Sequence, residues 1–301
     1  MKILFPQAFT LTSSNIADSS YANWSNTTAY VVGDIRYLPS NYGEYKCLVA
    51  NTDKNPLTHT YNAEKNPSGE WLFLGTTNKY RMFDKYQTSQ SSRTGNLTVE
   101  MIAYETQAVF LGNLDAIDVT IEIIDNDTLE VIETFSKNLM RDVTDAFDYG
   151  YGDWAENKKT QLIYERTTAT RNVSIIVEIN NGVSDAKCGI FCCGKVKEIG
   201  NTQWNLNVGA LDYSTNVTDT STGDTTLIEG NYSPTLDLDI FTNTVNAMSL
   251  NKILNDARGK AVVFMAGYTD DLAVYGFKQK HNTVMSGPVK TIITVNIIGL
   301  I

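Results

Sequence analysis

The densest aromatic stretch of the chain reads Trp24-Ser-Asn-Thr-Thr-Ala-Tyr30-Val-Val-Gly33-Asp34-Ile-Arg-Tyr37 and continues through Tyr42 and Tyr45 to Trp71. It holds two of the four tryptophans of the chain but almost no aliphatic run. A segment this short cannot build a large core, so aromatic rings and glycine turns must stabilise its fold. We therefore predict a small aromatic β-module at residues 21–76.

Short apolar runs around the turn residues predict the strands of this module at 30–32, 35–38, 45–49 and 71–74. The Asn, Lys, Pro and Gly residues of 51–69 indicate an exposed loop before the last strand. We interpret residues 1–20 as a lead-in segment with one strand. The polar residues 87–95 are typical of a linker or a surface loop.

Alternation of apolar and polar residues dominates the rest of the chain. It is clearest at 117–123, 173–179, 204–208 and 236–240. Half-buried strands of antiparallel sheets have this period of two. One helix is predicted where apolar residues follow helical spacing, at Leu250, Ile253, Leu254 and Ala257. We thus predict a mainly β protein in which the module precedes a larger, jelly-roll-like antiparallel β-sandwich at 77–301 with one short helix.

The amino-acid composition argues against several classes of function. The 301 residues are 42% hydrophobic and 19% charged with a net charge of -10, which is typical of a soluble globular protein and unfavourable for nucleic-acid binding. Only His59 and His281 are present, which argues against histidine catalysis and histidine-rich metal sites. We predict no cofactor, no metal, no membrane insertion and no catalytic residues. The apolar start is too short for a signal peptide, so we expect synthesis in a cytoplasm.

Several patterns have a functional and a structural interpretation. Residues 189–195 match a phosphate-binding loop, but Val196 stands where Ser or Thr is needed, and a strand is favoured. The run that starts at Asp219 lacks the glycine and glutamate of a calcium loop. Two of the carboxylates Asp148, Asp153 and Glu156 could form a glycosidase pair, but acidic residues in surface loops are the favoured explanation. The four cysteines are Cys47, Cys188, Cys192 and Cys193, and we interpret them as buried thiols.

The aromatic stretch resembles the small chitin- and cellulose-binding type of carbohydrate-binding module. The resemblance covers residues 24–75, about a sixth of the chain, and implies that aromatic rings stack on sugar faces. The residues that it assigns to sugar binding are Trp24, Tyr30, Tyr37, Tyr42, Tyr45 and Trp71. The alternative is that Trp24, Tyr30 and Trp71 form the miniature core. Cys47-Leu48-Val49 stands where family members carry a tryptophan pair.

The whole chain resembles virion structural proteins of tailed bacteriophages. The resemblance rests on the module, on the run 77–84 that follows it, and on short motifs at 209–214, 274–277 and 298–300. It implies a non-enzymatic tail or baseplate protein that is located in the virion, contacts other virion proteins as a homo-oligomer and contributes to adhesion to host-surface polysaccharide. Two alternatives stay open, namely a structural connector or capsid decoration protein whose module docks on a neighbouring subunit, and a glycan hydrolase with an accessory module.

Overall fold

A computed structural model describes residues 1–140, 145–151, 158–168, 170–204, 206–218, 220–267, 272–285 and 287–301. The strands are β1 (Lys2–Pro6), β2 (Phe9–Ser14), β3 (Ala29–Tyr30), β4 (Ile35–Leu38), β5 (Gly43–Cys47), β6 (Asn51–Thr52), β7 (Trp71–Thr76), β8 (Ser91–Tyr104), β9 (Ala108–Asp115), β10 (Asp118–Asp125), β11 (Val131–Asn138), β12 (Gln161–Glu165), β13 (Asn172–Glu198), β14 (Asn201–Thr202), β15 (Asn207–Asp212), β16 (Thr215–Thr218), β17 (Thr225–Ile228), β18 (Tyr232–Asn243), β19 (Val262–Met265), β20 (Ala273–Met285) and β21 (Lys290–Gly299). The helices are a 3-10 helix (Asn78–Phe83), α1 (Ala146–Tyr151), a 3-10 turn (Thr244–Asn246) and α2 (Ala247–Asp256).

The long strand β13 organises a large antiparallel sheet, to which fourteen strands belong among the described residues. β10 pairs with its first half and β9 with its second half, and β8 and β1 pair with it as well. The register with β8 shifts between Asn180 and Asp185, where Gly182 has a φ of 64°. From β1 the sheet continues through β19, β20 and β21 to β18. The prediction of a mainly β protein with a large antiparallel, sandwich-like sheet is confirmed.

The sequence pattern of β13 changes along its length because its burial changes. In the first half, residues such as Val173 and Ile175 face the first hydrophobic core, whereas Glu178 on the other face is exposed. In the second half, Cys193 faces the same core while Cys192 belongs to a separate buried cluster with Leu4 and Val263. A strand buried on both faces loses its apolar–polar alternation. This explains why period-two alternation stops where the cysteine-rich run begins.

A second hydrophobic core is built mainly from carboxy-terminal strands, together with Met1 and Ile3. Leu236, Leu238 and Ile240 of β18 are buried there, as the alternation predicted. Helix α2 covers this core with Leu254 and lies where helical spacing predicted it. The 3-10 helix and α1 were not predicted, since neither segment shows a helical period of apolar residues.

The aromatic module builds its own small sheets. β4, β5 and β7 form one antiparallel sheet, and β3 pairs with β6. A separate buried cluster contains Tyr30, Leu38, Tyr45, Cys47 and Trp71. These strands lie close to the predicted positions.

Two predictions of local structure were wrong, and burial explains both. Residues 91–95 are not a linker, because β8 begins at Ser91, which is fully buried. Trp204 and Val208 do not point into a core, since 86% and 61% of their surfaces are exposed. The predicted lead-in segment 1–20 supplies β1 and β2 to the large sheet, with β1 between β13 and β19.

Candidate functional site

Three of the six predicted sugar-binding rings lie in the core of the module. Tyr30, Tyr45 and Trp71 are at most 2% exposed, so their ring faces are covered by the protein. The Trp71 indole Nε1 donates a hydrogen bond to the carbonyl of Lys54 at 2.8 Å, which satisfies its polar group. Tyr30 meets Trp71 edge to face, with ring centroids 5.1 Å apart. These three residues therefore belong to the core of the module.

Trp24 is half-buried and packs against the same cluster. Its indole ring thus belongs with the module core and not with an open platform. Tyr37 is half-buried and Tyr42 is exposed, so these two keep accessible surface. Of the predicted set, they are the residues that remain available to a ligand.

Tyr42 stacks on Tyr80, a residue outside the predicted set. The ring centroids lie 3.7 Å apart and the planes differ by 13°. Tyr42 sits in the turn between β4 and β5 with a φ of 57°, a left-handed conformation that is uncommon for an aromatic residue. The amide of Thr77 donates to its carbonyl oxygen at 2.9 Å. The stack and this hydrogen bond join the module to the start of the larger domain.

The carboxylate of Asp18 lies near Tyr37 and Tyr80, and that of Glu44 lies near Tyr37. Burial, together with the nearby Tyr42 and Asp18, raises the pKa of Tyr80 to about 12. The pKa of Tyr37 is raised mainly by burial, with added contributions from Asp18 and Glu44 among others. A hydroxyl that stays neutral can donate a hydrogen bond to a ligand throughout the physiological pH range. The site therefore combines neutral phenols with carboxylate acceptors.

A cavity of about 330 Å³ opens beside the stack, at the lower end of the volumes typical of ligand pockets. Its lining residues come from β2, from the module and from the segment that follows it, and are Phe9, Leu11, Asn41, Tyr42, Thr76, Tyr80, Phe83 and Asp84. Asp84 has a raised pKa because it is partly buried, although hydrogen bonds from Tyr86, Ser89 and Thr76 oppose that shift. We call this cavity the junction pocket.

Sequence reasoning missed Asp18, Glu44, Tyr80 and Asp84. Asp18 lies before the aromatic stretch, and Tyr80 and Asp84 lie after it. Only the tertiary contact of the module with the larger domain brings them together. Tyr80 and Asp84 are four residues apart in a segment with no apolar period, so no local pattern could have identified them.

The other sequence patterns have structural explanations. The phosphate-loop-like run 189–195 lies inside β13 and opens no helix, which confirms the strand interpretation. All four cysteines are buried free thiols, as predicted. Among the described residues, no group of three or more His, Cys, Asp or Glu side chains could hold a metal ion. The side chain of Asp148, and Asp153, Glu156 and Asp219 as a whole, lie outside the described residues.

Two comparisons with known proteins found no relative from which a function could be inferred. A scan against protein-family models finds no match, and a search of curated proteins finds no similar one. In the part of the chain that the structure describes, no helix is both long and apolar enough to cross a membrane.

Proposed function

We propose that this protein is a non-enzymatic structural component of a bacteriophage tail or baseplate that contributes to host-surface glycan adhesion through the junction pocket. The observation that carries the proposal is the composition of this pocket. Tyr42 and Tyr80 supply aromatic surface, while Asp84 and Asn41 supply a carboxylate and an amide. Sugars present C–H faces to aromatic rings and hydroxyls to carboxylate and amide groups.

The proposal places the ligand beside the module and not on its core. Tyr30, Tyr45 and Trp71 stabilise the fold, and the turn after β4 presents Tyr42 at the domain junction. A pocket of about 330 Å³ holds only a small part of a polysaccharide, so each contact is weak. Several copies on one particle would act at high effective concentration, which makes weak contacts sufficient for adhesion.

A structural connector is the second candidate, and the Tyr42–Tyr80 stack favours it. One ring face of each residue is already used inside the chain. Tyr30, Tyr45 and Trp71, three of the six predicted sugar-binding rings, are buried in the core of the module. In that case the module stabilises contacts with neighbouring virion proteins and binds no sugar.

The test is calorimetric titration of the full chain with chitin oligomers and a panel of bacterial envelope polysaccharides. The informative variants are Asp84→Asn, which removes the charge and keeps the shape, and Tyr42→Ala. The matched control is Tyr21→Ala, whose side chain is 41% exposed and does not line the pocket. Circular dichroism verifies that each variant is folded.

Saturable binding that weakens at least about tenfold in both pocket variants, and not in the control, supports the adhesion function. Release of new reducing ends from a bound polysaccharide would indicate a hydrolase instead. Absence of binding to every glycan, with the wild-type chain folded, would favour the structural connector.

A further inference from the structure

Another cleft, of about 350 Å³, is lined by residues of β9, β12, β18 and β20, which are distant from one another in the sequence. Four of its lining side chains are amides, and these are Gln87, Asn113, Gln161 and Asn231. We call this cleft the amide cleft. Its volume is at the lower end of those typical of ligand pockets. It shares no lining residue with the junction pocket.

The amide cleft has no charged side chain in its described lining, although the chain as a whole is acidic with a net charge of -10. Amide groups both donate and accept hydrogen bonds. An ion would find no opposite charge among these side chains. An apolar ligand would cover the amides without giving them partners, which costs free energy. The lining therefore suits an uncharged ligand with several hydroxyl groups.

Close packing of the backbone fixes part of this lining. At Gly189, a Cβ atom would lie 2.3 Å from the carbonyl oxygen of Gln87, so the chain at Gln87 lies directly against β13. The side-chain amide of Asn113 donates a hydrogen bond to the same carbonyl oxygen at 2.7 Å. Gln161 pairs with Gly112, the residue before Asn113, because β12 lies beside β9. Polar groups that are already held in place lose less entropy when a ligand binds.

Tyr232 gives the amide cleft an accessible aromatic ring. It is the first residue of β18, lines the cleft and is 65% exposed. Leu236 and Val274 are buried and add apolar surface to the same lining. Sugars present C–H faces to aromatic rings and hydroxyls to amide groups. The cleft thus combines the two kinds of group that recognise a sugar.

We propose that the amide cleft is a second carbohydrate-binding site and that it takes an uncharged sugar. The Tyr232 ring stacks on a C–H face of the sugar, while the amides of Asn113 and Asn231 bind its hydroxyls. The junction pocket has a different chemistry, because Asp84 gives it a carboxylate. The proposal does not depend on sugar binding at the junction pocket, since the two sites have separate lining residues.

Titration of the full chain with neutral trisaccharides tests the proposal, with saturation-transfer difference NMR as the readout. The probes are chitotriose, cellotriose and maltotriose, and trigalacturonate is their charged counterpart. Trigalacturonate should bind at least about tenfold more weakly than the best neutral probe, because the acidic chain repels it.

Two variants of Tyr232 examine the role of its ring. In Tyr232→Ala, the dissociation constant of the best neutral probe should rise at least about tenfold, because the stacking surface is lost. Tyr232→Phe keeps the ring and should stay within about threefold of the wild type. The control is Tyr104→Ala, whose side chain is 57% exposed and does not line the cleft. Circular dichroism verifies that all variants are folded.

Absence of saturable binding of every neutral probe overturns the proposal, as does equal weakening in Tyr104→Ala or tighter binding of trigalacturonate. A Tyr232→Phe variant as weak as Tyr232→Ala overturns the stacking role of the ring. Binding that is lost in Tyr42→Ala but kept in Tyr232→Ala would assign the sugar to the junction pocket and overturn the amide cleft. Binding that is lost in Tyr232→Ala but kept in Tyr42→Ala supports the amide cleft and counts against adhesion at the junction pocket.

Discussion

Tyr42 and Tyr80 stack with ring centroids 3.7 Å apart, although they belong to different parts of the fold. Tyr42 lies in a turn of the aromatic module, and Tyr80 lies in the 3-10 helix that leads into the larger domain. Arg81 supports the junction, since its Nε donates to the carbonyl of Thr76 at 3.2 Å. Lys79 adds an ion pair with Asp18 at 3.4 Å. The stack, the hydrogen bond and the ion pair together hold the module against the start of the larger domain.

Replacing Tyr80 by alanine should loosen the module without unfolding the larger domain. We expect a loss of about 1–3 kcal/mol in the free energy of unfolding, because an aromatic contact and its buried area are removed. Limited proteolysis should become faster near residues 76–90. The control is Tyr86→Ala, since that ring is 60% exposed. Equal proteolysis rates for both variants would contradict a role of the stack in holding the module.

Replacing Trp71 by alanine should destabilise the module far more than any change at its surface. Trp71 is fully buried and its Nε1 is hydrogen-bonded, so the variant loses buried area and leaves a cavity. Such changes cost about 3–5 kcal/mol. Phe73→Ala, at a residue 40% exposed in the same strand, should cost clearly less. Urea unfolding followed by tryptophan fluorescence and circular dichroism measures the difference, and equal losses would contradict the assignment of Trp71 to the core.

Strands were predicted correctly where one face of the strand is buried and the other is partly exposed. The alternation at 117–123 and 236–240 gave β10 and β18, because one face of each strand is buried and the other is partly exposed. The same rule failed at Trp204 and Val208, which are exposed, although Leu206 between them packs against the second core. Periodicity shows which residues share a face and not whether anything covers that face.

The candidate site was predictable only in part. Local patterns identified the module and included Tyr37 and Tyr42 in the aromatic set. They could not separate core rings from accessible ones, because both kinds have the same composition. Nor could they supply Tyr80 and Asp84, since these residues reach Tyr42 through the contact between the two domains.

Acid should weaken the fold around Glu133. Burial alone would raise the pKa of this carboxyl group, but hydrogen bonds from Thr168, Tyr164 and Thr167 outweigh burial and hold it at about 2. A group whose pKa is lower in the folded state stabilises the protein above its unfolded pKa. That contribution is lost as the pH falls from about 4.5 to about 2.

Thermal unfolding of Glu133→Gln from pH 7 to pH 2 checks this prediction. The variant should melt below the wild type at pH 7, and the difference should shrink as the pH falls towards 2. The control Glu130→Gln changes an exposed carboxylate just before the same strand and should follow the wild type throughout. A difference between Glu133→Gln and wild type that is independent of pH would contradict the role of the charged form.

The glycines of the phosphate-loop-like run are explained by strand packing. At Gly194, a Cβ atom would overlap the carbonyl oxygen of Phe5 in β1, which pairs with β13 at this point. At Gly189, it would overlap the carbonyl oxygen of Gln87. Only glycine permits such close backbone approach without movement of a strand. The resemblance to a nucleotide-binding loop is therefore a consequence of how the sheet packs.

Gly194→Ala should consequently lower the free energy of unfolding by about 1–3 kcal/mol, because backbone atoms must move to admit the methyl group. Gly287→Ala is the matched control, since no heavy atom lies within 4 Å of the added Cβ there. Chemical unfolding measures both variants against the wild type. Titration with a nucleoside triphosphate and Mg²⁺ should give no saturable binding to the wild-type chain. Unchanged stability in Gly194→Ala together with nucleotide binding by the wild type would show that these glycines serve a ligand and not the packing of β1 on β13.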